Sequence, residues 1–347
     1  MPRLRRPSAL LLGSALVLGA LAPVTAYADE ASGTTTQISI DDALAAVSAA
    51  KSATDAATKG GWTAQSTDTH QDNTVETTDV AYDAADGRGL ITDDNDARWQ
   101  QITTDHGSYQ SVASYRLITS VKRFDRVLAM LGRPDATWVY EPAESPGPDP
   151  EGGVSNWGPA ALPELLTDAS VATIVGQPTQ TVAADGSTTY DLAVELLGDS
   201  TDSGTITLTV DADDVVTADS SDFATKSTST YAYGPQDVPL PAASDVVQDH
   251  KVQFALRLLH MRDDAKGIAD ATRRATVRRH PHVSATTSSR RSARSYVKML
   301  NRTYGAKVFA ASDIAHGVRI TATNPLTHEQ VVLTVRAVGK HVVVRRG

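Results

Sequence analysis

The sequence predicts an α+β protein in two unequal parts. Three observations carry this. A helical period near the start gives way to a period of two from Trp62 onward. The strands so marked are separated by short Asp/Asn/Gly turns. Helix then returns after Ser244, on a stretch of opposite charge, and leads into a second, shorter set of strands.

The chain opens with Arg3, Arg5 and Arg6, followed by an apolar run from Ala9 to Ala22 and then Ala26-Tyr27-Ala28. A positive start, a short apolar segment and a small-x-small site are the marks of a cleaved signal peptide, residues 1–28. The apolar run is shorter than the roughly 20 residues that cross a bilayer. The expectation is therefore export, cleavage before Asp29, and no transmembrane segment after cleavage. With no cysteine in 347 residues, disulfides, thiol chemistry and an anchor on an N-terminal cysteine are excluded.

Ile38 to Lys59 reads as a helix, with Ile40, Leu44, Val47 and Ala50 on one face, Asp41 and Asp42 in its first turn and Gly60-Gly61 at its end. Five strands follow as an antiparallel meander: Trp62–Thr69, Thr74–Tyr82, Arg88–Thr92, Ala97–Thr103 and Ser108–Ala113. Ser120–Leu131 is a second helix, carrying Val121, Phe124, Val127, Leu128 and Leu131, and Gly132 and Pro134 stop it. A strand at Thr137–Tyr140 precedes a Pro/Gly-rich loop at Glu141–Asn156 and a short helix at Ala160–Asp168. Strands resume at Val171–Val175, Thr179–Ala184, Thr188–Leu196, Gly204–Val210, Val215–Ser220 and Ser227–Tyr233. The Ala184-Asp185-Gly186 turn is a strong hairpin signal. A helix from Ser244 to about Arg274 gives way to a polar, basic linker at Arg273–Arg291. The tail reads as a helix at Ala293–Tyr304 and strands at Lys307–Ala311, Val318–Thr323, Gln330–Val335 and His341–Arg345. The expected organisation is 1–28 signal, 29–248 acidic domain, 249–289 helix and basic linker, and 290–347 a small basic α+β domain.

Charge divides the chain in the same way. Residues 29–249 carry 36 Asp/Glu against 10 Lys/Arg, whereas 250–347 carry 19 Lys/Arg against 5 Asp/Glu. Such asymmetry marks two units with different partners, or two units that attract each other.

Catalytic constellations are absent: there is no HExxH, P-loop, dinucleotide fingerprint or G-x-S-x-G. His280-Pro281-His282 lies beside four arginines, which oppose a cation, so no metal is assigned. Asp41-Asp42, Asp93-Asp94, Asp213-Asp214 and Asp263-Asp264 fall at helix starts and turns, where Asp serves as cap or Asx residue. Asp93-Asp94-Asn95-Asp96 lacks the Gly and distal Glu of a calcium loop. The sequence thus predicts a non-enzyme with no cofactor. The basic segment, Arg273, Arg274, Arg278, Arg279, Arg290, Arg291 and Arg294, has two readings. It grips a polyanion, such as an anionic envelope polymer or lipid headgroups, or it is a solvated linker that docks on the acidic domain. Nucleic acid is not expected, because no aromatic residues interleave the arginines.

The order of helix, meander, helices and further antiparallel strands resembles the LolA-like superfamily, which includes LppX/LprG-like lipid carriers and RseB/MucB-like regulators. The resemblance covers residues 36–248. It rests locally on Tyr82-Asp83-Ala84-Ala85-Asp86-Gly87-Arg88-Gly89 and on the closing Val238-Pro239-Leu240-Pro241-Ala242-Ala243-Ser244-Asp245-Val246-Val247. It implies a curved antiparallel half-barrel sheet wrapped around helices, with an apolar cavity for acyl chains. The inward positions would be Leu117, Phe124, Leu128, Leu131, Leu192, Val194, Ile206 and Leu208. Asp29 stands where LppX-like carriers have a lipidated cysteine, so membrane tethering is not expected of this chain. The RseB-like layout, with a smaller C-terminal domain, fits residues 290–347 better. The resulting reading is an exported cell-envelope protein that binds a lipid or other apolar ligand. Its alternative is an RseB-like regulator or wall-associated module that binds a protein partner and has no ligand of its own.

Overall fold

The computed structural model describes residues 33–93, 99–119, 123–143, 154–197, 202–279, 284–338 and 341–346, the side chains of 117–119 and 156 excepted. The signal segment, Asp94–Asp96, the His280-Pro281-His282 pair and the Leu117 side chain lie outside what is described.

Strand β1 (Thr34–Gln37) leads into helix α1 (Ile40–Ala57), whose N-cap Ser39 accepts a hydrogen bond from the Asp42 amide. The buried face of α1 is Ala43, Val47, Ala50 and Thr54. It is rotated from the expected face, and Ile40 is exposed. Small side chains at these positions let the helix approach the sheet closely. The meander follows as β2 (Trp62–Thr69), β3 (Val75–Asp83), β4 (Arg88–Asp93), β5 (Gln100–Thr104), β6 (Gly107–Ser111) and β7 (Trp138–Pro142), all paired antiparallel. Between β6 and β7 the chain makes two short helices, α2 (Val112–Thr119) and α3 (Phe124–Met130). The expected strand to Ala113 is cut short because the Ser111 hydroxyl accepts from the Ser114 amide at 3.1 Å and starts α2.

After α4 (Ala161–Thr167) come β8 (Ala172–Val182), β9 (Thr188–Leu196), β10 (Asp202–Val210), β11 (Val216–Asp222) and β12 (Lys226–Tyr233). The two strands expected across 171–184 are one, β8, broken by a register shift between Val175 and Thr179. Gly176 supplies the positive φ of 72° at that irregularity. β12 pairs with β2 along its whole length, from Lys226↔Thr69 to Tyr233↔Trp62. This joins the two ladders into one open 13-stranded sheet with β1 at one edge and β13 (Val246–Gln248), parallel to β7, at the other.

Helices α5 (Asp249–Leu258), α6 (Met261–Arg279) and α7 (Ala285–Tyr304) then lead into a four-stranded antiparallel sheet: β14 (Phe309–Ile314), β15 (Gly317–Thr323), β16 (Gln330–Val338) and β17 (His341–Arg346). The basic linker expected at 273–291 is therefore mostly helix. α6 runs to Arg279, and Ser284 caps α7 eight residues before its expected start. The buried positions here are Thr272, Thr276, Ser288, Ser289 and Ser292, small polar residues that hide a helical period from any hydrophobicity pattern. Ala265, Ile268 and Ala269 of α6 and Ala293 of α7 share a core with Val318, Ile320, Ala322 and Val335 of the second sheet. Met130 and Leu326 pack against both this core and the α3–α5 cluster.

Candidate functional site

Residues that face each other across antiparallel strands point to the same side, so the register traces one continuous face of the large sheet. One row on it runs Tyr190, Leu208, Asp219, Ser229, Ser66, Thr78 and Asp93. The next runs Tyr231, Ala64, Val80, Ile91, Gln101, Gln110, Val139 and Val247. Helices cover both ends of this face. Over β8–β11, α1 and α4 lie on Leu192, Val194, Ile206 and Leu208. Over β7 and β13, α3 and α5 pack with Val139 and Val247.

The centre of the face, on β12, β2, β3 and β4, is different. Its apolar cluster is Trp62, Ala64, Val80, Tyr82 and Ile91. Val154 closes it from a loop, with Trp99, Trp157, Tyr231 and Tyr233 packed alongside. Among the described residues, no side chain of α1–α7 belongs to this cluster. The Trp62 indole is fully buried, and its Nε1–H has no acceptor among the described residues. A buried donor left unpaired costs about 1–3 kcal/mol, so this position favours an incoming acceptor.

Beside the aromatic cluster runs a polar stripe. Tyr231 donates its hydroxyl to Asp219 at 2.7 Å, and the Ser66 and Ser229 hydroxyls meet at 3.3 Å. The Ser227 hydroxyl donates to Asp68. Burial disfavours the Asp219 carboxylate and raises its pKa to about 6, and hydrogen bonds from Tyr231 and Ser229 offset part of that rise. The Tyr231 hydroxyl is pushed well above its ordinary range by burial and by the charge of Asp219. At the far end of the stripe, His70 and Glu76, 3.5 Å apart, border an open depression that also touches Asp72 and Thr225. The inner face therefore grades from an acidic, solvated mouth through buried hydroxyls to an aromatic floor.

The cavity positions named from the sequence do not gather around this centre. Phe124 and Leu128 are buried among Tyr115, Val127 and Val252, with Leu131 packed against them. Leu192, Val194, Ile206 and Leu208 form a separate cluster under α1. Sequence reading missed Trp62, Asp219 and Tyr231, because only strand register brings them together. The period-two pattern over Trp62–Ser66 and Ser229–Tyr233 was their one signal.

The basic residues also divide. Arg273 pairs with Asp270 at 3.7 Å, and Arg294 with Asp313 at 2.9 Å. Arg290 donates to the Ile314 and Gly317 carbonyls. Arg274, Arg278, Arg279 and Arg291 are exposed and make no ion pair among the described residues. Also among the described residues, no acidic or histidine cluster of three or more can hold a metal, and no helix is long and apolar enough to cross a membrane.

No family model matches the chain, and neither does any curated protein. Among solved structures it is similar to an uncharacterized conserved protein of Thermus thermophilus, at 8% identity and a TM-score of 0.31. That match covers 60% of this chain and 99% of the other. It is also similar to MucB in complex with MucA(peri), at 10% identity and 0.28, covering 87% and 76%. A third is the LolA superfamily protein NE2245 of Nitrosomonas europaea, at 8% identity and 0.26, covering 55% and 94%. A LolA superfamily protein and MucB are thus both among its structural neighbours, and at these scores the likeness carries no argument about function.

Proposed function

We propose that this chain is an exported, non-catalytic binding protein for a lipid or other apolar ligand, and that the ligand lies on the centre of the inner face of the large sheet. The observation that carries this reading is the change in cover across that face. Helices fill both ends, whereas the centre has a floor of Trp62, Tyr82, Val80 and Ile91 under Val154 and a single 3-10 turn at Ser155–Trp157. One short turn is easier to displace than a packed helix, and apolar ligand sites combine aromatic walls with a few placed polar groups. Asp219, Ser229, Ser66 and the Trp62 N–H, unpaired among the described residues, are such groups. The proposed organisation keeps a signal at 1–28 and an acidic ligand-binding domain at 29–248, with the second sheet as a separate unit. Helices α6 and α7 belong with that second unit, because they share its core.

The test is native mass spectrometry of protein from a culture supernatant, followed by titration of the delipidated protein with a fluorescent fatty acid. A co-purifying lipid mass, and binding that Ala64→Phe weakens without lowering the melting temperature, supports the carrier reading. No lipid and no binding by the wild type replaces it with a protein-interaction module. N-terminal sequencing of the same sample should read from Asp29.

A further inference from the structure

The outer face of the α6–α7 pair carries a surface unrelated to the ligand face. α6 turns Ala265, Ile268, Ala269, Thr272 and Thr276 inward, and α7 turns Ser288, Ser289, Ser292 and Ala293 inward. Opposite these on α6, by the helical period, are Arg274, Val277 and Arg278; on α7 Arg291 and Lys298 lie away from the buried positions and Met299, on their flank, is exposed near the helix end. Both helices pack on the same four-stranded sheet, and all six side chains are open to solvent. The four cations make no ion pair among the described residues. The acids of this face, Asp263 and Asp270, are each paired, with Lys266 and Arg273. Val277 and Met299 are 54% and 55% exposed, the most exposed of the large apolar side chains among the described residues.

We propose that this face is a docking surface for an anionic lipid bilayer. Unpaired cations select an anionic surface. The two exposed apolar side chains choose between anionic surfaces: a fully hydrated polymer offers them nothing, whereas the headgroup–acyl boundary of a bilayer takes them up. The surface provides reversible membrane contact in a chain without the cysteine that would carry a lipid anchor. It stands apart from the ligand-binding reading and does not depend on it.

The experiment is co-flotation of the processed chain, Asp29 onward, with vesicles of phosphatidylcholine alone or mixed with phosphatidylglycerol. Binding to the anionic vesicles only, lost at high salt, is the expected result. The triple variant R274Q/R278Q/R291Q should bind roughly a hundredfold more weakly, at about fivefold per basic residue. V277S/M299S should lose roughly tenfold, from the apolar contact alone. All five positions are surface sites, so unchanged melting temperatures confirm that the variants fold. Absence of vesicle binding, or binding that neither variant alters, overturns the proposal. Equally tight binding to soluble polyphosphate that V277S/M299S leaves intact overturns it in favour of a polymer. Salt-sensitive self-association without vesicle binding overturns it in favour of the acidic domain of a second copy.

Discussion

Replacing Asp219 by Asn should make the protein more stable at neutral pH and less sensitive to pH. Asp219 is 7% exposed, and its pKa in the fold is about 6, against an ordinary 3.8. The folded state therefore holds the proton more tightly than the unfolded chain between these values. Because the folded pKa is the higher one, stability falls as pH rises through that window and levels off above about 6. A tenfold difference in proton affinity between the two states corresponds to about 1.4 kcal/mol, so between pH 4.5 and 7.5 the wild type should lose about 2 kcal/mol through this group. Asparagine has no such titration, and its amide oxygen still accepts from Tyr231. Urea unfolding at the two pH values measures the effect as the difference between variant and wild type, which cancels the other titrating groups. The variant should gain about 2 kcal/mol on the wild type across the range. Parallel stability curves for the two proteins would refute the reasoning and show that water reaches the carboxylate freely.

Four further substitutions test the packing. Leu128→Trp should lower the melting temperature and cost about 1–3 kcal/mol, because Leu128 sits in a filled cluster with Phe124 and Val252; an unchanged melting temperature would reveal space beside it. Thr272→Val removes a buried hydroxyl that has no partner among the described residues, so it should raise stability by about 1 kcal/mol in chemical denaturation. Gly317→Ala would place a Cβ 2.0 Å from the Val335 carbonyl oxygen across the strand pair, and should cost at least about 2 kcal/mol, read as a fall in melting temperature. Arg133→Ala removes donors to the carbonyls of Ala243, Ser244 and Val246, so it should loosen the approach to β13 and cost about 2 kcal/mol, with faster hydrogen exchange at Val246–Gln248.

Most elements were legible along the chain because their causes are local. Period-two runs marked β2 and β9 to the residue, and the expected hairpin turn at Ala184-Asp185-Gly186 is closed by Asp185 accepting from the Ser187 amide at 2.9 Å. Elements whose signal is not hydrophobic were missed. β1 is four exposed polar residues, Thr34–Gln37, held by its ladder with β8 and a Thr35–Thr181 hydroxyl contact, and the first turns of α7 bury serine. The candidate site was illegible for another reason. Trp62 and Asp219 lie 157 positions apart, and the pairing of β12 with β2 is what sets them on one face.

The sequence by itself determined the fold class, the charge division near residue 249 and the absence of any cysteine chemistry, since composition and short-range periodicity suffice for these. Tertiary structure alone decided that two ladders form one sheet, and that, among the described residues, its inner face is covered by helices at both ends but by Val154 and Trp157 at its centre. It also decided which arginines are spent on carbonyls and aspartates and which make no ion pair among the described residues. These outcomes depend on strand register and on the partners each side chain meets across the fold, and a linear pattern does not encode such long-range pairings.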